Sequence, residues 1–190
     1  MARDSLDRYY TPRWVVDLCF KHVTPALPSL NTSNVLEPSA GGGAFVDGIR
    51  RTWPSALATV NDIDPDAPAL INARDARNRD YLGVDWGPFD LVIGNPPYKQ
   101  AQEFVQHAVA HAAHVVFLLR LGFLAGARRH DTLYSVHKPA QVFVLPQRPS
   151  FTGDGRTDGH DYAFFCWDRT CKRGPTFVRW LPTLSKEQRC

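Results

Sequence analysis

Asn95-Pro96-Pro97-Tyr98 is the stretch whose residue types best suit chemistry on a planar amino group. Asn95 offers a side-chain carbonyl and Pro96 a backbone carbonyl, two acceptors that can converge on the two hydrogens of one NH2. Tyr98 adds a flat face for a planar ring. The two prolines fix their own φ and lack N–H groups, and the residue before each is held out of the helical region. The preceding run, Asp90-Leu91-Val92-Ile93-Gly94, reads as a buried parallel strand, so the four residues are presented rigidly at the carboxyl edge of a sheet, where open α/β folds bind ligands. The competing reading is a core strand that two prolines simply terminate.

Three further groups favour a site. Asn34-Val35-Leu36-Glu37 is a short strand that runs through Pro38-Ser39-Ala40 into Gly41-Gly42-Gly43, then a helix from Ala44-Phe45 to about Arg51. The glycines permit unusual φ and close approach to a ligand, and the helix start supplies free N–H groups. A pyrophosphate site would not place a carboxylate here, whereas Glu37 suits a cationic ligand. About 20 residues on, Thr59-Val60-Asn61-Asp62-Ile63 is a strand ending in a carboxylate, the place from which nucleotide folds hold ribose hydroxyls. Ile63 then lies against a base. Asp64-Pro65 can equally be a helix N-cap. Phe151 is an apolar ring in a basic, glycine-containing loop, better placed for stacking than for a core. His107, His111 and His114 have a spacing that imitates a metal site, but no carboxylate or cysteine accompanies them, and no metal is expected.

The elements that position these groups follow from pattern. Thr11 and Pro12 start a helix, as N-cap and first helical residue, with Trp14, Val15, Leu18 and Cys19 on its buried face. A polar helix is expected over about 66–77, then a third strand end at Arg79-Asp80-Tyr81-Leu82. Residues 102–113 read as a helix and 114–120 as a near-continuous apolar strand, as in parallel sheets. Residues 122–140 read as a basic, irregular insert. Gln141 to Leu145 and Tyr162 to Trp167 are strands, and 176–181 adds an edge strand.

The chain has 190 residues and is 44% hydrophobic, enough for one domain with a real core. It carries no run long enough to span a membrane and no signal-peptide core at its start. The four cysteines (Cys19, Cys166, Cys171, Cys190) show no C-x-x-C spacing and read as reduced thiols, so a cytoplasmic location is expected. Charge is uneven. Residues 1–119 hold 10 Lys/Arg against 13 Asp/Glu, and residues 120–190 hold 12 against 6. A polyanion meeting the C-terminal part fits this balance, as does a merely solvated surface.

With Asn95-Pro96-Pro97-Tyr98, Leu36-Glu37-Pro38-Ser39-Ala40-Gly41-Gly42-Gly43 and Tyr10-Thr11-Pro12 together, the chain resembles the N6-adenine DNA methyltransferases, in their gamma motif order. The resemblance covers about residues 9–168. It implies an α/β, Rossmann-like class I fold dependent on S-adenosyl-L-methionine, with a seven-stranded, mostly parallel sheet, helices on both faces and a reversed final hairpin. By motif, Thr11, Glu37, Ala40, Gly41 and Gly43 hold the methionine end, with Tyr10, Pro38, Phe45 and Asn95 completing the cofactor set. Asp62 takes the ribose, Ile63 the adenine face, and Asp80 with Tyr81 the adenine amino edge. Asn95, Pro96, Pro97 and Tyr98 form the catalytic motif. Tyr98 and Phe151 stack a flipped base, and Arg128, Arg129, Arg148 and Arg156 meet the nucleic acid.

The implied reaction suits these residues. An adenine amino lone pair is delocalised, and hydrogen bonds to Asn95 and Pro96 favour a more nucleophilic nitrogen. A methyl held in line then needs proximity and orientation, and the acidic ammonium product needs no strong base. Cytosine C5 chemistry would need a cysteine after proline, which the sequence lacks. Reaching the amino group in duplex DNA requires base flipping.

Only 122–140 and the tail 169–190 lie outside a single methyltransferase domain. Short or weak sequence specificity is therefore expected, or a specificity subunit or second copy as partner, in a phage-type enzyme. Three other readings use the same residues: an RNA adenine methyltransferase, a protein glutamine methyltransferase whose side-chain amide presents the same NH2, and a silent cofactor-binding or DNA-binding subunit.

Overall fold

The fold is known from a computed structural model, which describes residues 10–27, 30–152, 156–157, 159–170 and 174–189. Among these residues, eight strands form one sheet: β1 (Asn34–Glu37), β2 (Leu57–Asn61), β3 (Asp75–Arg77), β4 (Phe89–Gly94), β5 (Ala112–Arg120), β6 (Gln141–Val144), β7 (Tyr162–Asp168) and β8 (Phe177–Trp180). Their spatial order is β3-β2-β1-β4-β5-β7-β6-β8. β3 through β5 pair in parallel, β7 is antiparallel to both β5 and β6, and β8 returns parallel to β6. The sheet thus has eight strands rather than seven, because 177–180 pairs along the whole of β6.

The apolar strands are buried from two sides, as their unbroken hydrophobic runs require. One layer packs α1 (Arg13–Leu18) and α2 (Ala44–Thr52) over Val35, Leu91, Ile93, Val116 and Phe164. The other packs α4 (Ala101–His111) and Tyr81 over Leu36, Val92, Phe117 and Phe165. Alternate residues of each strand serve the two layers, as a period of two demands.

Several boundaries differ from the sequence expectation. α1 begins at Arg13 with Pro12 as its N-cap, and no side chain caps it. The Thr11 hydroxyl is engaged elsewhere, as described below. The helix expected over 66–77 shrinks to α3 (Pro68–Ile71), and Asp75–Arg77 becomes β3, pinned to β2 by a Thr59 Oγ1–Asp75 Oδ2 hydrogen bond of 2.8 Å. Asp80 is not at a strand end. Its Oδ1 accepts from the Leu82 amide and caps a single 3-10 turn, Tyr81–Gly83. The insert is helical rather than irregular: α5 (Ala127–Arg129) runs into a wide turn, His130–Tyr134, anchored by fully buried Leu133.

Cys19 and Cys166 are buried free thiols, and burial pushes both thiol pKa values up. Cys171 and Cys190 lie outside the described residues, as do Tyr9 and residues 153–155. Among the described residues no helix is long and apolar enough to cross a membrane.

Candidate active site

The strand order reverses between β1 and β4, and ligands of open α/β sheets bind at the carboxyl ends of strands flanking such a point. The register Leu36↔Val92 and Glu37↔Val60 brings Glu37, Asn61 and Gly94 to one edge. There Glu37 lies directly over Gly94. A Cβ on Gly94 would collide with the Glu37 carboxylate, so the glycine before Asn95 is what lets the two strand ends approach.

A cleft encloses about 810 Å³ of empty space, its open mouth included, between Tyr10, Pro38, Ser39 and Gly41 on one side and Asp62, Ile63, Asp80 and Asn95-Pro96-Pro97 on the other. A second groove continues past Tyr10 and Asn95 to Thr11, Glu37, Ala40, Gly42, Ala44 and Phe45. The two share Tyr10, Ser39, Gly41 and Asn95 and form an elongated site with unlike ends. One end has an exposed apolar side chain, Ile63 (58% exposed), beside carboxylates. The other has Glu37.

The glycine turn is built for contact. Gly41 (φ 47°) and Gly43 (φ 89°) occupy the left-handed region, which glycine adopts without steric cost. The Tyr10 ring lies across Gly41 and Gly42, where an added Cβ would sit 3.4 and 3.3 Å from it. Asp62 braces this turn: its Oδ2 accepts from the Gly41 amide at 2.7 Å and its Oδ1 from the Asp64 amide at 2.9 Å. A carboxylate oxygen accepts more than one hydrogen bond, so this duty is compatible with a ribose.

Glu37 is 1% exposed. Its Oε1 accepts from the Ser39 amide at 3.2 Å, while its buried Oε2 has no hydrogen-bond partner among the described residues. Burial, augmented by Asp62 and opposed by the Ser39 bond, holds its carboxyl well above the usual range. A buried acceptor of this kind fits a cationic ligand group.

Asn95 is oriented through its amide nitrogen, which donates to Thr11 Oγ1 at 3.0 Å, while its backbone carbonyl accepts from Ser39 Oγ at 3.4 Å. The motif of α1 and the motif of β4 are therefore joined at one hydrogen bond, which explains why Thr11 does not cap its helix.

Other expected residues have different duties. Tyr81 borders the cleft, but its ring is 2% exposed, packed on Trp86, Phe104 and His107, with its hydroxyl 3.3 Å from His111 Nε2. The Phe45 ring is likewise in the core, edge-on to Phe164 at 6.4 Å. Phe151 is not the exposed ring that its loop composition suggested. It is 7% exposed, meeting Tyr98 edge-on at 6.3 Å and Tyr162 at 5.1 Å. A sandwiched base needs two parallel faces, which this edge-on pair does not offer.

The basic residues also divide. Arg148 Nε is paired with Asp161 Oδ1 at 2.8 Å, and Arg129 turns back to the carbonyls of Gly122 and Phe123. Arg128 and Arg156 are exposed. The three histidines go to three partners: His107 to Val84 O at 3.0 Å, His111 to Tyr81, and His114 to Asp168 at 3.4 Å.

Sequence reading missed two residues. Asn61, fully buried, donates to Pro38 O and Arg79 O and accepts from the Arg79 amide, tying the glycine turn to the Asp80 loop. Arg120 places its guanidinium 4.9 Å from the Tyr98 ring centre. A lone cation ending the apolar strand next to the Asn-Pro-Pro-Tyr strand was the available signal.

No protein-family model matches the chain. It is 32% identical over 96 residues to Type II methyltransferase M.CvrRI of Paramecium bursaria Chlorella virus XZ-6E, covering 47% of this chain and 24% of that protein. It is 30% identical over 95 residues to a release factor glutamine methyltransferase of Deinococcus radiodurans, covering 45% and 32%. In structure it resembles the methyltransferase subunit of a type I restriction-modification system from Streptococcus thermophilus, with a TM-score of 0.68 at 17% identity over 86% of this chain and 45% of that one. The chain thus spans a quarter to a third of these two curated relatives and under half of that solved one.

The fold is the class I S-adenosylmethionine-dependent methyltransferase fold. The match to a Type II methyltransferase agrees with the DNA-methyltransferase resemblance drawn from the motifs, and the restriction-modification neighbour agrees with the fold. S-adenosylmethionine is the cofactor these relatives imply, and the elongated site, with Glu37 at one end and Asp62, Ile63 and Asp80 at the other, fits an amino acid joined to a nucleoside.

Proposed function

We propose that this chain transfers a methyl group from S-adenosylmethionine to the N6 amino group of adenine in DNA. The observation that carries this reading is the junction at Asn95. The Asn95 amide nitrogen donates to Thr11 Oγ1, which orients the side chain; in this reading the Asn95 side-chain carbonyl and the Pro96 backbone carbonyl are the two acceptors. Together they suit an NH2 group bordering the cleft.

When bound, the cofactor supplies a methyl group on a sulfonium. Glu37, Thr11 and the glycine turn hold the methionine end, while Asp62, Ile63 and Asp80 hold the nucleoside. Asn95 and Pro96 draw on both N–H bonds of the target amine, favouring a tetrahedral nitrogen in line with the methyl. Tyr98 supplies a face for a base extruded from the helix. The proton of the methylated ammonium leaves to solvent. Phe151 closes on the base only by turning away from Tyr98, so stacking rests first on Tyr98. Arg128 and Arg156 meet the phosphate backbone.

The glutamine methyltransferase relative favours a second reading, because a glutamine side chain presents the same NH2. Labelled S-adenosylmethionine offered separately with duplex DNA, total RNA and peptide-release factors decides between them. Label in DNA is expected. Label in protein alone would transfer the same site to glutamine.

A further inference from the structure

β2 lies between β1 and β3, and the chain leaves these two neighbours to build opposite walls of the cleft. β1 runs on through Pro38 and Ser39 into the glycine turn, and β3 runs on through Asn78 and Arg79 to Asp80. At the end of β2 the backbone extends the pairing a step to each side. The Ala40 amide donates to Asn61 O at 2.9 Å, and the Asp62 amide donates to Arg77 O at 3.2 Å. The Asn61 side chain then carries the contact further. Its Nδ2 donates to Pro38 O and to Arg79 O, each at 3.0 Å, and its Oδ1 accepts from the Arg79 amide at 3.1 Å. Both amide hydrogens and the amide oxygen are thereby used. One carboxamide stands in for a peptide unit shared by two diverging segments.

Asparagine is a poor strand residue, and this one is fully buried at the end of a strand. Apolar packing does not account for it; the three bonds do. A buried polar group with every bond made is a rigid connector. Asn78 offers a contrast. It is exposed, and its Nδ2 donates to Asp62 O at 2.9 Å and Ile63 O at 3.0 Å, both on the nucleoside side of the cleft. Asn78 shapes one wall, whereas Asn61 spans two.

We propose that Asn61 is a positioning residue that fixes the separation between the amino-acid end and the nucleoside end of the cofactor site. Two ligand halves joined in one molecule reinforce each other only where the protein presents both subsites at the matching distance. Asn61 sets that distance through Pro38 and Arg79, and so makes S-adenosylmethionine one ligand rather than two halves. The inference rests on the cofactor placement proposed above. It is independent of which substrate receives the methyl group.

The test compares two ligands by calorimetric titration of the whole chain: S-adenosylhomocysteine, which spans both ends, and adenosine, which fills only the nucleoside end. Asn61→Ala is expected to weaken S-adenosylhomocysteine about tenfold more than it weakens adenosine. Asn78→Ala, which loosens one wall, is expected to weaken both by the same factor. Thr59→Val, on the same strand, gives up the bond to Asp75 and leaves both affinities unchanged. Asn61→Thr, whose branched side chain suits a strand but does not reach both walls, should show the same split as Asn61→Ala and serves if the latter does not fold. Melting temperatures separate stability from positioning. A lowered Tm with the wild-type ratio of the two affinities would overturn the proposal and leave the cofactor placement standing. Failure of both Asn61 variants to fold would likewise overturn it, making Asn61 a folding residue. A wild-type chain that does not bind S-adenosylhomocysteine would overturn the placement and the inference together.

Discussion

Glu37 is almost wholly removed from water, has one carboxylate oxygen without a partner among the described residues, and stands near Asp62. Its folded pKa is raised by burial, so the fold favours the protonated form. The stabilisation this gives is complete below the ordinary carboxylate range and is lost as pH rises through the folded value. Glu37→Gln keeps the Ser39 contact and never ionises. The free variant should therefore melt above wild type at pH 8, with the gap closing towards pH 4.5. Its affinity for S-adenosylmethionine should fall roughly tenfold or more, since hydrogen bonds to charged groups contribute about 1.5–3 kcal/mol. Thermal melts and calorimetric titration read the two effects. Asn95 behaves differently. Asn95→Ala should lower kcat by roughly 10²–10³, the scale of one lost transition-state hydrogen-bonding group, with cofactor affinity nearly unchanged. Loss of cofactor binding instead would misplace the site. Asp62, which braces Gly41, is a cofactor residue by this account, and Asp62→Ala should weaken binding first.

At the scale of elements, the long periodic pieces were legible and the short ones were not. α1, α2, α4, β4, β5 and β7 were readable because each buries several residues at its own period. β3 has three residues and no period to read; its identity comes from pairing with β2 and from the Thr59–Asp75 bond. The helicity of the insert depends on burying Leu133, and the burial of Phe151 on Tyr98 and Tyr162, partners 53 and 11 residues away in sequence. Glu37, the glycine turn and Asn95 were legible because their chemistry is local. The junction of Thr11 with Asn95 was not, since it spans 84 residues. The α4 face carries its own titration. Burial and His107 lower the His111 pKa from 6.5 to about 4. The unfolded chain binds that proton more readily, so stability contributed by neutral His111 is present above about pH 6.5 and is lost as pH falls towards 4. His111→Gln should flatten the acid arm of the Tm profile. An unchanged arm would assign it to other groups.

At the scale of the whole molecule, the sheet order and register bring Glu37, Asn61 and Gly94 to one edge, which borders the cleft proposed for the cofactor. The chain spans about a quarter of the length of M.CvrRI. The central claim concerns which atom receives the methyl group, and nucleoside mass spectrometry tests it directly. Unmethylated duplex DNA is incubated with the chain and S-adenosylmethionine, then digested to nucleosides. N6-methyldeoxyadenosine is predicted, formed roughly 10²–10³ times more slowly by Asn95→Ala. Methylcytosine, or methyladenosine formed by Asn95→Ala at the wild-type rate, would contradict the proposed function.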